Sequence, residues 1–110
     1  MSEKKPIIID SKFDEKNKEL TIFTPVRVDS GNAPEIESTI DEIIAKYSDM
    51  SKLVFDFKDC EYISSAGLRI ILRTSKRSPN TKVINASAEV YEIFDLVGFT
   101  TMLSISKKAD

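Results

Sequence analysis

Leu53-Val54-Phe55-Asp56-Phe57 is a short, almost continuous apolar run, and it constrains the fold more than any other stretch of the chain. A strand with one wet face alternates apolar and polar residues. A run that is apolar at nearly every position has to be covered on both faces, as at the centre of an α/β sheet. The flanking segments supply the covers. Ile36, Ile40, Ile43, Ile44 and Tyr47 precede it, Leu68, Ile71 and Leu72 follow, and Val90, Ile93, Phe94 and Val97 come later. Each set recurs at the spacing of one apolar helix stripe.

The first helix is expected to start after the turn Asp29-Ser30-Gly31-Asn32, with Asn32 as capping candidate and Pro34 in its first turn, and to run through Tyr47. The second opens at Ser64-Ser65-Ala66-Gly67 and is ended by Pro79-Asn80. The third runs from Ser87 or Ala88 to Val97, where Gly98 suits the residue just past a helix end. Lys82–Asn85 and Thr101–Ser106 read as strands, with Lys107–Asp110 a frayed tail. Toward the amino terminus, Ile7-Ile8-Ile9 reads as a strand, Asp10–Lys18 as a turn and Glu19–Val28 as a strand edged or bulged at Pro25. These two strands are expected to pair antiparallel. The order ββαβαβαβ implies one α/β domain over residues 1–110, a mixed sheet of about four to five strands with three main helices and right-handed crossovers.

Composition removes whole classes of function. The 110 residues contain no histidine and a single cysteine. Serine, cysteine and threonine hydrolases of the usual kind need an imidazole base, and a zinc site would have only carboxylates and one thiolate. Composition leaves open a carboxylate-only magnesium site or a paired-acid hydrolase, but no motif argues for either. A regulatory or binding module is expected rather than an enzyme, with no metal or cofactor. Sixteen Lys and Arg against eighteen Asp and Glu leave a formal charge of −2, which argues against a nucleic-acid binder. No apolar run reaches the length of a membrane span, so no membrane insertion is expected. Met1–Pro6 carries two lysines without an apolar stretch behind them, unlike a signal peptide. One unpaired cysteine suits a reducing compartment, and a cytoplasmic location is expected.

Ligands and partners of open α/β sheets gather at the carboxyl ends of central strands, where helix amino termini also point. Here that place is Ser64-Ser65-Ala66-Gly67, after the run ending at Phe57. Read plainly, it is a serine cap followed by small residues that let the helix pack on the sheet; read functionally, it offers two hydroxyls, and a glycine that would let another surface come close. Asp56 could brace the intervening loop or be an ordinary turn residue. Cys60 reads as a partly buried loop residue whose acidic neighbours Asp59 and Glu61 disfavour a thiolate.

The stretch Leu53–Leu72, with Ile63-Ser64-Ser65-Ala66-Gly67-Leu68 at its centre, resembles the signature of the STAS domain family, and within it the bacterial anti-sigma factor antagonists. Two further segments match in register: Val26–Ser30 leading to Ala33-Pro34-Glu35, and Phe94-Asp95-Leu96-Val97-Gly98-Phe99. The likeness covers almost the whole chain. It implies a protein without catalysis of its own. The unphosphorylated antagonist binds an anti-sigma factor serine kinase, which supplies the ATP, and thereby frees a sigma factor. Phosphorylation of the serine two residues before the glycine ends the binding. By register that serine is Ser65. Ser64, standing where many members carry aspartate, is a second candidate for modification. The partner surface implied comprises Asp29, Ser64, Ser65, Ala66, Gly67, Leu68, Arg69 and Arg73.

Arg69, Arg73, Lys76 and Arg77 form a basic stripe on the second helix, and Glu35, Glu37, Asp41 and Glu42 an acidic face on the first. Both suit solvated faces; the basic stripe could also steer an acidic partner. A different reading makes the chain a standalone STAS subunit of a transporter or sensory assembly, with Ser65 only a cap. A nucleotide-binding protein or small enzyme is disfavoured by the missing phosphate loop and missing histidine.

Overall fold

A computed structural model of the chain describes residues 7–78 and 80–109. Strands β1 (Ser11–Asp14), β2 (Glu19–Phe23), β4 (Lys52–Asp56), β6 (Thr81–Ala86) and β7 (Ser104–Lys107) form one sheet in the order β1-β2-β4-β6-β7. Only the β1–β2 pairing is antiparallel; the other three are parallel. Helices α1 (Ala33–Lys46), α2 (Ser65–Arg77) and α3 (Ala88–Leu96) alternate with these strands. Two short strands, β3 (Arg27–Val28) and β5 (Tyr62–Ile63), pair in parallel as a separate ribbon. The expected mixed α/β sheet with three helices is what forms.

The apolar run occupies the middle of the sheet as its composition requires. Leu53, Val54, Phe55 and Phe57 are all buried, and Leu53, Phe55 and Phe57 belong to one core with Leu20, Ile22, Val83, Val90 and Phe94. The helix stripes point inward through Ile36, Ile40 and Ile43 on α1, Leu68 and Ile71 on α2, and Val90 and Phe94 on α3. Ile44, Tyr47, Leu72 and Ile93 are half-buried, Val97 is exposed, and Ile70, outside the expected stripe, is buried. Gly98 takes a left-handed φ of 82° after α3, which a side chain would resist.

Several expected boundaries shift, each for a local reason. Residues 7–10 lie outside any strand; the first strand is Ser11–Asp14 instead. The Asp14 carboxylate accepts from the backbone of Lys16 and Asn17 and closes a tight turn there, so the antiparallel partner of β2 must begin just before it. Lys18 completes that turn at φ 52°. The expected strand Glu19–Val28 divides, because Pro25 offers no donor to the ladder; Arg27 and Val28 leave the main sheet and pair with Tyr62 and Ile63. Asn32 occupies the cap position of α1 without capping it. Its side chain instead accepts from Asp29 N at 2.8 Å and donates to Arg27 O at 2.8 Å. A 3₁₀ turn at Phe99–Thr101 delays the last strand to Ser104, and that strand includes Lys107; Lys108 N is then held on Ala86 O at 2.7 Å rather than frayed. Met1–Pro6, Pro79 and Asp110 lie outside the described residues, so the expectations placed on them are not addressed.

Candidate functional site

The chain leaves the sheet at Asp56, and the hydrogen bonds of the following loop deliver the two serines. Asp56 is buried, and its Oδ1 accepts from Lys58 N at 2.9 Å and from Asn85 Nδ2 at 3.1 Å. It thus braces the loop and ties it to β6. Cys60 N donates to Phe57 O at 3.0 Å, which turns the chain back. The Cys60 thiol is buried and donates to Tyr62 O at 3.4 Å; burial pushes its pKa up. A buried thiol of this kind is a packing group rather than a nucleophile.

From there the chain enters β5, and Ser64 N donates to Val28 O at 2.8 Å. The β3–β5 ribbon therefore fixes where α2 begins. Ser64 is the N-cap, with extended backbone and Oγ accepting from Gly67 N at 3.4 Å. Ser65 is the first helical residue. It is exposed, and its hydroxyl has no hydrogen-bond partner among the described residues. The two candidate serines are thus distinguished: one hydroxyl is used by the fold, the other is free.

Gly67 has an internal task. A Cβ there would come within 2.6 Å of Val28 Cγ1 and 2.6 Å of Ile63 Cγ1, so the ribbon presses directly on the helix backbone. Of the two readings of Gly67, close packing inside the domain is the one observed, against the ribbon. Leu68 is also buried. Ser64 and Ala66 are half-buried, and Ser65 and Arg69 are exposed, so these define what a partner can reach at this turn.

Asp29 organises the neighbouring loop. Its Oδ1 accepts from Gly31 N at 2.8 Å and Asn32 N at 3.0 Å, while Oδ2 pairs with Arg27 Nε at 2.7 Å. The guanidinium of Arg27, followed by these amides, holds the Asp29 carboxyl below its ordinary pKa. Arg27 also lies over the Tyr62 ring, 4.5 Å from its centroid.

Between α1 and α2 runs an open groove of about 470 Å³, with Ala33, Pro34, Ala66 and Leu72 among its apolar lining and Arg69, Arg73 and Lys76 on its α2 side. The acidic and basic faces of the two helices meet here. Arg73 Nη1 pairs with Glu37 Oε2 at 2.5 Å, and Arg77 Nη2 with Asp41 Oδ1 at 2.6 Å. Two cations of the stripe are therefore already engaged, whereas Arg69 and Lys76 have no ion-pair partner among the described residues. Neither the β3–β5 ribbon nor Asn85 was expected from the sequence. The signals available were the short runs on either side of Pro25 and Cys60, and asparagine's tolerance of left-handed backbone.

Among the described residues no group of three or more carboxylate, thiol or imidazole side chains could hold a metal ion, and no helix is long and apolar enough to cross a membrane.

The family model of the STAS domain matches residues 12–110. No curated protein matches the chain. Among solved structures, the chain is similar to an anti-sigma factor antagonist from Mycobacterium paratuberculosis, at TM-score 0.75 and 19% identity, covering 90% of this chain and 86% of that one. It is similar to the Bacillus cell fate determinant SpoIIAA in its phosphorylated form, at TM-score 0.64 and 13% identity, covering 92% and 93%. It also resembles part of the murine anion transporter Solute Carrier 26 family member A9, at TM-score 0.63 and 14% identity, covering 84% of this chain but 17% of the transporter.

Proposed function

The chain belongs to the STAS domain family, and we propose that it acts there as an anti-sigma factor antagonist, switched by phosphorylation of Ser65. Unphosphorylated, it binds an anti-sigma factor serine kinase in the cytoplasm and so releases a sigma factor. The observation that carries this reading is the free, exposed hydroxyl of Ser65 beside the capping hydroxyl of Ser64. A kinase needs an accessible oxygen, and of the two only Ser65 can be modified without removing a helix cap. The chain contributes no catalytic group. The Ser65 oxygen bonds to the γ-phosphorus of ATP in the kinase's own site, the bond to the β,γ-bridging oxygen breaks, ADP departs, and the hydroxyl proton passes to the kinase.

The contact face on this reading is Asp29, Ser64, Ser65, Ala66, Arg69 and Arg73, with Gly67 and Leu68 supporting it from beneath. A phosphoserine adds about −1.5 to −2 charges at neutral pH. At a helix amino terminus such charge is locally favourable, so the fold need not change. A partner packed over Ser65 would have to desolvate it, and a loss of about 3 kcal/mol weakens binding roughly a hundredfold. Isothermal titration of Ser65→Asp against the anti-sigma factor kinase of the source organism should show weakening of that order with unchanged circular dichroism. Wild-type affinity in that variant would contradict the reading.

The likeness to part of an anion transporter favours a second reading, a regulatory subunit of a transporter or sensory assembly. Affinity purification that recovers membrane transporter components, and no ATP-binding kinase, would favour it over the first.

A further inference from the structure

Arg69 follows Ser65 by four residues on α2, and both are exposed. Residues at this separation are neighbours on a helix face, and long helical side chains lean back toward the amino terminus, over the preceding turn. An anion on the amino-terminal member with a cation on the carboxyl-terminal one is the favourable orientation of such a pair. Resting on the reading of Ser65 as the phosphorylated residue, we propose that Arg69 is the internal partner of the Ser65 phosphate, drawn back onto it when the group is added.

The surrounding charges leave Arg69 available for this role. Arg27 is closed on Asp29 at 2.7 Å, Arg73 on Glu37 at 2.5 Å and Arg77 on Asp41 at 2.6 Å. Glu37 is the carboxylate that lines the groove with Arg69, and its Oε2 is held by Arg73. The exposed carboxylates Asp59 and Glu61 both lie in the loop between β4 and β5, before the helix cap in sequence. Lys76 has no ion-pair partner but stands almost two turns beyond Arg69, out of reach of Ser65.

The functional consequence is a double change on one face. Unphosphorylated, Arg69 stands at the groove rim as an open cation. Phosphorylated, it is occupied by the phosphate, so an acidic group of a partner loses its counter-charge as the new anion appears.

The test installs phosphoserine at position 65 by nonsense suppression, with no kinase involved, and follows its titration by phosphorus-31 NMR. An arginine paired to the dianion lowers the second phosphate pKa. The midpoint should lie about 0.3 pH units or more lower in the otherwise wild-type protein than with Arg69→Gln. Arg69→Lys should restore part of the difference. Lys76→Gln removes the same net charge and should leave the midpoint in place. Equal midpoints with and without Arg69, or an equal displacement by Lys76→Gln, would overturn the proposal. Because the phosphate is installed directly, failure of a kinase to modify Ser65 would count against the proposed function and leave this titration unaffected.

Discussion

Asn85 donates from Nδ2 to Oδ1 of Asp56 at 3.1 Å, and it does so from a left-handed backbone with φ 59°. Asp56 is the last residue of β4 and Asn85 the penultimate residue of β6, one position after Ile84, with which Asp56 pairs in register. A buried carboxylate at the mouth of the serine loop is thereby given a donor from the next strand. The unusual φ falls within the break of the β6–β7 register between Val83 and Ala86.

Replacing Asn85 with alanine removes a hydrogen bond to a carboxylate and leaves a β-carbon in a disfavoured conformation. The expected loss is about 1–3 kcal/mol in urea unfolding. Asn85→Gly should recover roughly 1 kcal/mol of that, because glycine accepts the positive φ. Equal losses in the two variants would show that the backbone conformation carries no cost.

Gly67→Ala is expected to be destabilising despite alanine's better helix propensity. The new methyl would overlap Val28 and Ile63, each at 2.6 Å, and the cost of overpacking is about 1–3 kcal/mol. Since the same ribbon sets the start of α2, amide chemical shifts should move at Ser64 and Ser65 as well. A variant as stable as wild type would mean that β3 and β5 do not clamp the helix.

The ion pairs between α1 and α2 orient the groove more than they stabilise the fold. Arg73 and Glu37 are both partly exposed, so a double-mutant cycle should give a coupling of about 0.2–1 kcal/mol, shrinking as salt rises. A coupling insensitive to salt would place the pair in a drier setting than its exposure indicates.

Cys60 makes a prediction in pH. Its buried thiol has a folded pKa above the ordinary value. The unfolded thiol therefore ionises first as pH rises, and the unfolded chain binds fewer protons there. The thiol's contribution to stability is complete below the unfolded pKa of about 8.5 and is lost as pH climbs toward the folded one. Chemical unfolding of Cys60→Ala should decline less steeply above that point than wild type, and a thiol reagent should label the native protein slowly. Rapid native labelling at neutral pH would contradict the burial.

The parts legible in the sequence are those governed by local pattern. The buried central strand, three helix stripes, the serine at the start of α2 and the glycine after α3 each leave a periodicity or a residue preference. What escaped was set mostly by tertiary pairing, and at the first strand by a side-chain turn at Asp14. A two-residue ribbon such as Val28 with Ile63 has no period to detect. The Asp14 turn displaced the first strand from a more β-prone run, Ile7–Ile9. Two solvated-looking charged faces turned out to meet, since helix phase relative to a neighbour is decided by packing. For Gly67 the plain reading, a small residue that lets the helix pack within the domain, is the one the structure bears out, but what it packs against, the β3–β5 ribbon, had no signal in the sequence.

The central claim is that Ser65, and not the capping Ser64, receives the phosphate. Incubation with the anti-sigma factor kinase and ATP, followed by tandem mass spectrometry, tests this most directly. The account predicts a single phosphate on Ser65, abolished in Ser65→Ala and retained in Ser64→Ala. Full labelling of Ser65→Ala, with the phosphate on Ser64 or elsewhere, would contradict it.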